Sequence, residues 1–170
     1  MNRKRFVAVL ASALLVVGVT TYVSNTLSTR ADCVTVYVDY GVLDNGTKVV
    51  KCINVPQKTG ALNVLQSAGF IVDGTKKYGS QVACRVNGLP SAIAPVNVSN
   101  HENYVETCTD MPAAFAYWAV LVKRLPDTAN PLDQSKKWGW AATGIDKIFL
   151  SPGDSIGLVF ADNDRVEFPN

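Results

Sequence analysis

The sequence predicts an α+β domain in which a mixed sheet covers one helix and disulfides hold the body together. Three observations lead there. Several short runs alternate apolar and polar residues or are rich in β-branched and aromatic types. One segment, Thr59 to Gly69, carries apolar residues at helical spacing. Four cysteines, with no C-x-x-C among them, lie at spacings of 18, 31 and 23 intervening residues. An even count without a metal-type or dithiol spacing reads as disulfides rather than as zinc or redox chemistry.

The first element is Cys33 to Tyr40. Val34, Val36, Val38 and Tyr40 recur at period two, as in a half-buried strand. Asp44-Asn45-Gly46 is a turn signal, since Asn and Gly accept positive φ. Lys48 to Val55 resumes strand character and Pro56 ends it, giving a hairpin. In the helix that follows, Thr59 is the expected N-cap, Ala61, Leu62, Leu65 and Ala68 the inner face, and Gly69 the C′ residue. At about three turns it needs a sheet to pack on.

Phe70 to Gly79 reads as loop, Gln81 to Val86 as a strand and Asn87-Gly88 as a turn. Leu89 to Pro112, with three prolines, reads as one irregular stretch. Ala113 to Lys123 is the most hydrophobic segment after the amino terminus, and its aromatic and β-branched content favours a buried strand. Leu125 to Lys137 is a polar loop with Pro126 and Pro131. Trp138-Gly139-Trp140 forms a short strand, Pro152-Gly153-Asp154 a turn, and Ser155 to Phe160 the last strand.

The amino terminus reads as an export signal. Arg3, Lys4 and Arg5 precede an uncharged run from Phe6 to Val19, about 14 residues and short for a membrane span. Residues 1–31 are expected to be a signal peptide cut before Asp32, leaving 32–170 as a single domain. The alternative is an uncleaved anchor over Phe6–Val23, the chain's one expected contact with a membrane. Either way the body is secreted or outside the membrane, where disulfides persist. Of three possible pairings, Cys84–Cys108 is favoured because it restrains the irregular stretch. Cys33–Cys52 follows by elimination, although the hairpin register does not obviously set those two opposite each other.

Charge narrows the partners. The chain holds 16 basic and 14 acidic residues, but four of the basic ones lie in the first 31, which have no acid. The remainder, twelve against fourteen, is weakly acidic and ill-suited to phosphate backbones, so no nucleic acid is expected.

The candidate ligand-binding residues are Tyr117, Trp118, Trp138 and Trp140. They read as an aromatic platform for a flat ligand, a sugar face or a partner surface, against the plainer reading of core packing. On a strand, Trp138 and Trp140 point the same way while Tyr117 and Trp118 point oppositely. His101 sits in a polar loop without triad or metal partners, and Asp154 reads as turn chemistry. Asp162, Asp164 and Glu167 lack the calcium-loop pattern and read as a solvated tail. Asn45-Gly46-Thr47 and Asn97-Val98-Ser99 fit the glycosylation rule, which would carry no meaning if the chain were bacterial. No nucleophile elbow, P-loop, dinucleotide fingerprint or zinc helix occurs, which reads against an enzyme and implies no cofactor and no metal.

These residues also resemble a family. The hairpin, the Ala61-Leu62-Asn63-Val64-Leu65 helix, the Asn87-Gly88 turn, Tyr117-Trp118 and Pro152-Gly153-Asp154 before a final strand occur in the order seen in the domain related to the C-terminal domain of transcobalamin. More narrowly, Cys84-Arg85-Val86-Asn87-Gly88, Cys108 with Met111-Pro112, and the Trp138/Trp140 stretch resemble small secreted actinobacterial proteins of unknown function. The resemblance implies a β-grasp-like sheet on one helix. In transcobalamin this domain closes over a corrinoid held largely by a helical barrel. No such barrel is read here, so a corrinoid rests on the resemblance alone. The expected function is an exported, non-catalytic module that binds a small molecule or an envelope protein. The alternative is a structural or interaction domain of the cell envelope with no ligand pocket. An envelope hydrolase is a third reading with no motif behind it.

Overall fold

Period-two alternation fixes the sheet. In β1 (Val34–Asp39) the side chains of Val34, Val36 and Val38 are fully buried on one face, while Thr35 and Tyr37 lie half-buried on the other. The chain continues as β2 (Lys48–Ile53), β3 (Thr59–Gly60), helix α1 (Ala61–Ser67), β4 (Val72–Thr75), β5 (Gly79–Val86), β6 (Val96–Val98), β7 (His101–Tyr104), β8 (Ala116–Lys123), β9 (Gly139–Trp140), β10 (Phe149–Leu150) and β11 (Ser155–Asp162). The computed structural model describes residues 32–125, 137–163 and 165–169, which belong to one unit, Ala31–Asn170. The expected export signal and most of the polar loop before Trp138 lie outside the described residues.

The central sheet has the order β2-β1-β11-β8-β9. β1 and β11 run parallel at its centre, and every other pair is antiparallel. The class is therefore mixed α+β, mostly strand, with one helix among the described residues and two disulfides. One face of the sheet packs on α1 and on the β4–β5 hairpin. Val36, Val38, Ile156, Leu158, Phe160 and Trp118 meet Val64, Leu65, Phe70 and Val86 there in one continuous core. Each fully buried aliphatic side chain in such a core stabilises it by about 1.5–3 kcal/mol.

The helix is shorter than its sequence pattern suggested. Gly60, not Thr59, is the N-cap, because Thr59 joins the β3–β10 ladder and its hydroxyl donates to the Pro56 carbonyl at 2.7 Å. The first helical amide, Ala61 N–H, donates to Ile148 C=O at 2.9 Å instead of to a side-chain cap. Val64 is fully buried with Ala61 and Leu65, and Leu62 is only half-buried. Gly69 at φ +82° closes the helix. Its N–H donates to Gln66 C=O, and Phe70 N–H donates to Leu65 C=O, both at 2.9 Å. That is a Schellman termination, in which an αL residue satisfies two orphan carbonyls.

Two segments read as loop contain strands. Phe70 to Gly79 holds β4, which pairs with β5 through two register shifts. Those shifts and Gly74 erase the alternation that would have announced it. Leu89 to Pro112 holds the β6–β7 hairpin, turned at Asn100 with φ +63°. Its strands are too short to show a period among three prolines. The strand expected from Ala113 begins at Ala116, whose N–H is held in a turn by the Ala113 carbonyl at 3.0 Å.

Cys33 bonds to Cys52 and Cys84 to Cys108, with Cα separations of 5.6 and 5.8 Å. The hairpin register sets Cys52 opposite Thr35, so the first bond runs diagonally across β1–β2. Diagonal neighbours on adjacent strands lie within disulfide reach. Two disulfides place the folded chain in an oxidising environment. No helix among the described residues is long and apolar enough to cross a membrane.

Candidate functional site

Alternation along β8 separates the two adjacent aromatics. Trp118 goes to the packed face and is 4% exposed. It meets Tyr40 and Phe160 edge-on at 5.4 and 5.5 Å, and its indole N–H donates to the Leu89 carbonyl at 3.0 Å. The fold thus uses its indole N–H and packs its ring against two aromatic neighbours.

Tyr117 goes to the opposite face, where the other aromatics gather. Its ring stacks with Trp140 at 6.5 Å and an interplanar angle of 27°. Trp140 lies opposite Leu121 in the β8–β9 ladder, is 53% exposed, and meets Phe168 edge-on at 6.2 Å. Trp138 shares this face and tilts against Tyr37 at 6.3 Å. Its seat is Gly157 of β11, where a Cβ would come 3.1 Å from Trp138 Cζ3. A small second core of Ala119, Leu121 and Val159 lies beneath these rings. Three of the four expected residues, Tyr117, Trp138 and Trp140, thus share a face, and Trp118 does not. Tyr37, Phe168 and Gly157 complete the platform. Tyr37 was concealed in the alternation of β1, and Gly157 has no side chain to notice.

Tyr117 also forms one wall of a groove of about 340 Å³, with Trp118, Val82, Ala83, Met111, Pro112 and Ala114. Met111 is 59% exposed at its rim. The Cys84–Cys108 bond anchors the loop that carries Met111 and Pro112 against β5. Tyr117 thus belongs both to the ring platform and to the groove.

A larger cleft, about 600 Å³, lies at the carboxyl ends of β1 and β11 and is lined by Asp39, Lys48, Asp162, Arg165 and Glu167 among others. Asp39 is buried and accepts from Gly41 N–H at 2.9 Å, Tyr37 O–H at 3.3 Å and Lys48 Nζ at 3.0 Å. That carboxylate holds the Lys48 ammonium above the usual lysine range. Burial, with Asp39 beside it, raises the Tyr37 phenol. Asp162 accepts from Ser99 N–H and Oγ–H at 2.5 and 2.8 Å. These acids bind their own fold, which suits a structural role better than proton transfer.

The remaining candidates are also absorbed by local structure. His101 stacks on Phe115 at 3.6 Å. Asp154 accepts from Ser151 N–H within its turn at 2.9 Å, and from Leu125 N–H and Arg124 Nη1 just beyond β8 at 3.1 and 2.9 Å. Glu167 is exposed and touches Lys48 at 3.4 Å, and Asp164 lies outside the described residues. Cys84, Cys108 and Glu106 bring three ligand-type atoms within 4.8 Å of one another. Both sulfurs are committed to the disulfide, so no thiolate is offered to a metal. Glu106 accepts from Tyr104 O–H and Cys108 N–H at 2.5 and 2.6 Å, and burial together with that carboxylate pushes the Tyr104 phenol up to about 12.

No family model, curated protein or solved structure matches this chain.

Proposed function

We propose that this chain is an exported, non-catalytic binding module that presents the Trp140–Tyr117 surface to a small ligand or an envelope protein. One observation carries the reading. An indole, a phenol and a phenyl ring remain together at the edge of an otherwise well-filled sheet, with Trp140 more than half exposed. Large aromatic rings left jointly in water mark recognition surfaces more often than scattered single residues do. The sheet order β2-β1-β11-β8-β9, with its first and last strands parallel beside one helix, supports a β-grasp-like body. It therefore agrees with the resemblance to the transcobalamin-related domain. A corrinoid has no support beyond that resemblance. Export is supported by the disulfides and by the charged and apolar pattern of residues 1–31.

The test is tryptophan emission of the full chain and of Trp140→Ala during titration with corrinoids, haem and soluble glycans. Quenching or a blue shift that vanishes in Trp140→Ala supports the small-ligand form. Emission unchanged across all three classes removes that form and leaves a protein partner. A structural envelope domain without a ligand is the second reading, and it is favoured by the pairing of the buried acids Asp39, Glu106 and Asp154 within the fold. Recovery of an intact Phe6–Val23 segment from membrane fractions would favour it, and release of a chain beginning at Asp32 would count against it.

A further inference from the structure

We infer that residues 165–168 form a displaceable strap across the open face of the sheet, a cover that governs access to the ring platform and so rests on the binding-module reading above. The strap begins where the sheet ends. Asn163, at φ +52°, turns the chain after β11, and its N–H donates to the Phe115 carbonyl at 2.9 Å. Arg165 returns one bridge to Asp162, and strand pairing stops there. Val166-Glu167-Phe168, which follows, alternates apolar with charged and is held through its side chains.

Each of those side chains has its own seat. Val166 packs on the small core of Ala119, Leu121 and Val159, as Tyr37, Tyr117 and Trp138 do. Glu167 reaches Lys48 at 3.4 Å, in β2, one edge of the sheet. Phe168 meets Trp140 edge-on at 6.2 Å, in β9, the other edge. Two consecutive residues touch opposite edges of a five-stranded sheet, so the segment lies over its middle. The chain itself supplies the cover of this face.

Three features make the cover displaceable. The Glu167–Lys48 pair is open to water, with side chains 82% and 48% exposed, and such pairs hold weakly and are screened by salt. Lys48 is also bonded to the buried Asp39 at 3.0 Å, so lifting the strap leaves no buried charge unpaired. Phe168 is 43% exposed and Val166 half-buried, so their release returns little apolar area to water. The sheet beneath is fixed by the ladders of β1, β11 and β8 and does not depend on the strap. Departure of the segment uncovers the Ala119, Leu121 and Val159 patch and the edge of Trp140 on which Phe168 rests. A ligand that stacks there competes with Phe168, and its apparent affinity falls with the fraction of chains that are open.

The experiment uses the full chain labelled with nitrogen-15, a soluble gadolinium chelate, and the neutral aromatic dye N-phenyl-1-naphthylamine. The variants are Glu167→Gln, Phe168→Ala and the two combined. In the double variant the half-buried Trp138 indole N–H should broaden at least about twofold more than in the native chain, and dye affinity should rise at least about threefold. Trp118 should stay sharp in every variant, as a sign that the packed face is intact. Salt at about 0.5 M should raise Trp138 broadening in the native chain and leave Glu167→Gln unmoved. Unchanged Trp138 broadening in the double variant would overturn the strap, and dye bound equally by all forms would then leave the module reading standing. Weaker dye binding by Phe168→Ala would also overturn it, by making Phe168 part of the site and not its cover. Newly broadened Trp138 with dye bound by no form would uphold the strap and overturn the small-ligand reading alone.

Discussion

The two faces of the central sheet are made by the same strands and end in different states. On one face Val36, Val38, Ile156, Leu158 and Trp118 are sealed under α1 and the β4–β5 hairpin. On the other, Ala119, Leu121 and Val159 make a three-residue core which, among the described residues, is covered by the side chains of Tyr37, Tyr117, Trp138 and Val166 and not by a helix or hairpin. Tyr37 and Trp138 are half-buried there, and Trp140 and Phe168 face water. Period-two alternation puts Val34, Val36 and Val38 on one face but does not say what covers the other. What distinguishes them is supply. The chain provides one helix and one long hairpin among the described residues, enough to cover a single face. The second face is closed with large flat side chains, which cover area without backbone and keep an edge free for contact.

That contrast can be broken or sharpened in order of effect. Leu158→Ala on the sealed face should cost about 2–5 kcal/mol in a denaturant titration, since rigid neighbours on every side preserve the cavity. Removing the groove's anchor by Cys84→Ser with Cys108→Ser should cost about 3.5 kcal/mol by the loop-closure estimate. It should also loosen the Met111–Pro112 wall, read as faster amide exchange in that loop. Gly157→Ala should cost about 1 kcal/mol while altering the near-ultraviolet signal of Trp138, because the added methyl occupies that indole's seat. Trp140→Ala, on the open face, should change stability by only about 0.5 kcal/mol. A loss there as large as that of Leu158→Ala would erase the distinction between the faces.

A last effect depends on pH. The fold raises the Tyr104 phenol to about 12 from its ordinary 10.0, through burial and through Glu106. The favoured species is the neutral phenol, so its contribution to stability is present below pH 10 and is lost as pH rises from there through about 12. Tyr104→Phe should lack this loss when denaturation midpoints are compared across the alkaline range.

Much of the sealed face was legible in the sequence. Val34, Val36 and Val38 announced themselves by spacing, and Gly69 by its place after the helical pattern. β4 and the β6–β7 hairpin were not legible, because register shifts and strands of three or four residues leave no period to detect. Thr59 looked like a cap because propensity is local, whereas the β3–β10 pairing that claims it comes from the far end of the chain. The platform was legible only in part. Trp138 and Trp140 stand out by rarity, but Phe168 reaches Trp140 through the tail's path, and Gly157 contributes by lacking a side chain. Of the adjacent Tyr117 and Trp118, parity said that one would be sealed and could not say which.

The most direct measurement is the accessibility of the three indoles in one experiment. A soluble paramagnetic gadolinium chelate should broaden the Trp140 indole N–H resonance strongly and Trp138 partly. It should leave Trp118, bonded to the Leu89 carbonyl, sharp. A Trp140 signal as protected as that of Trp118 would show that both faces are sealed, and the open recognition surface would not exist.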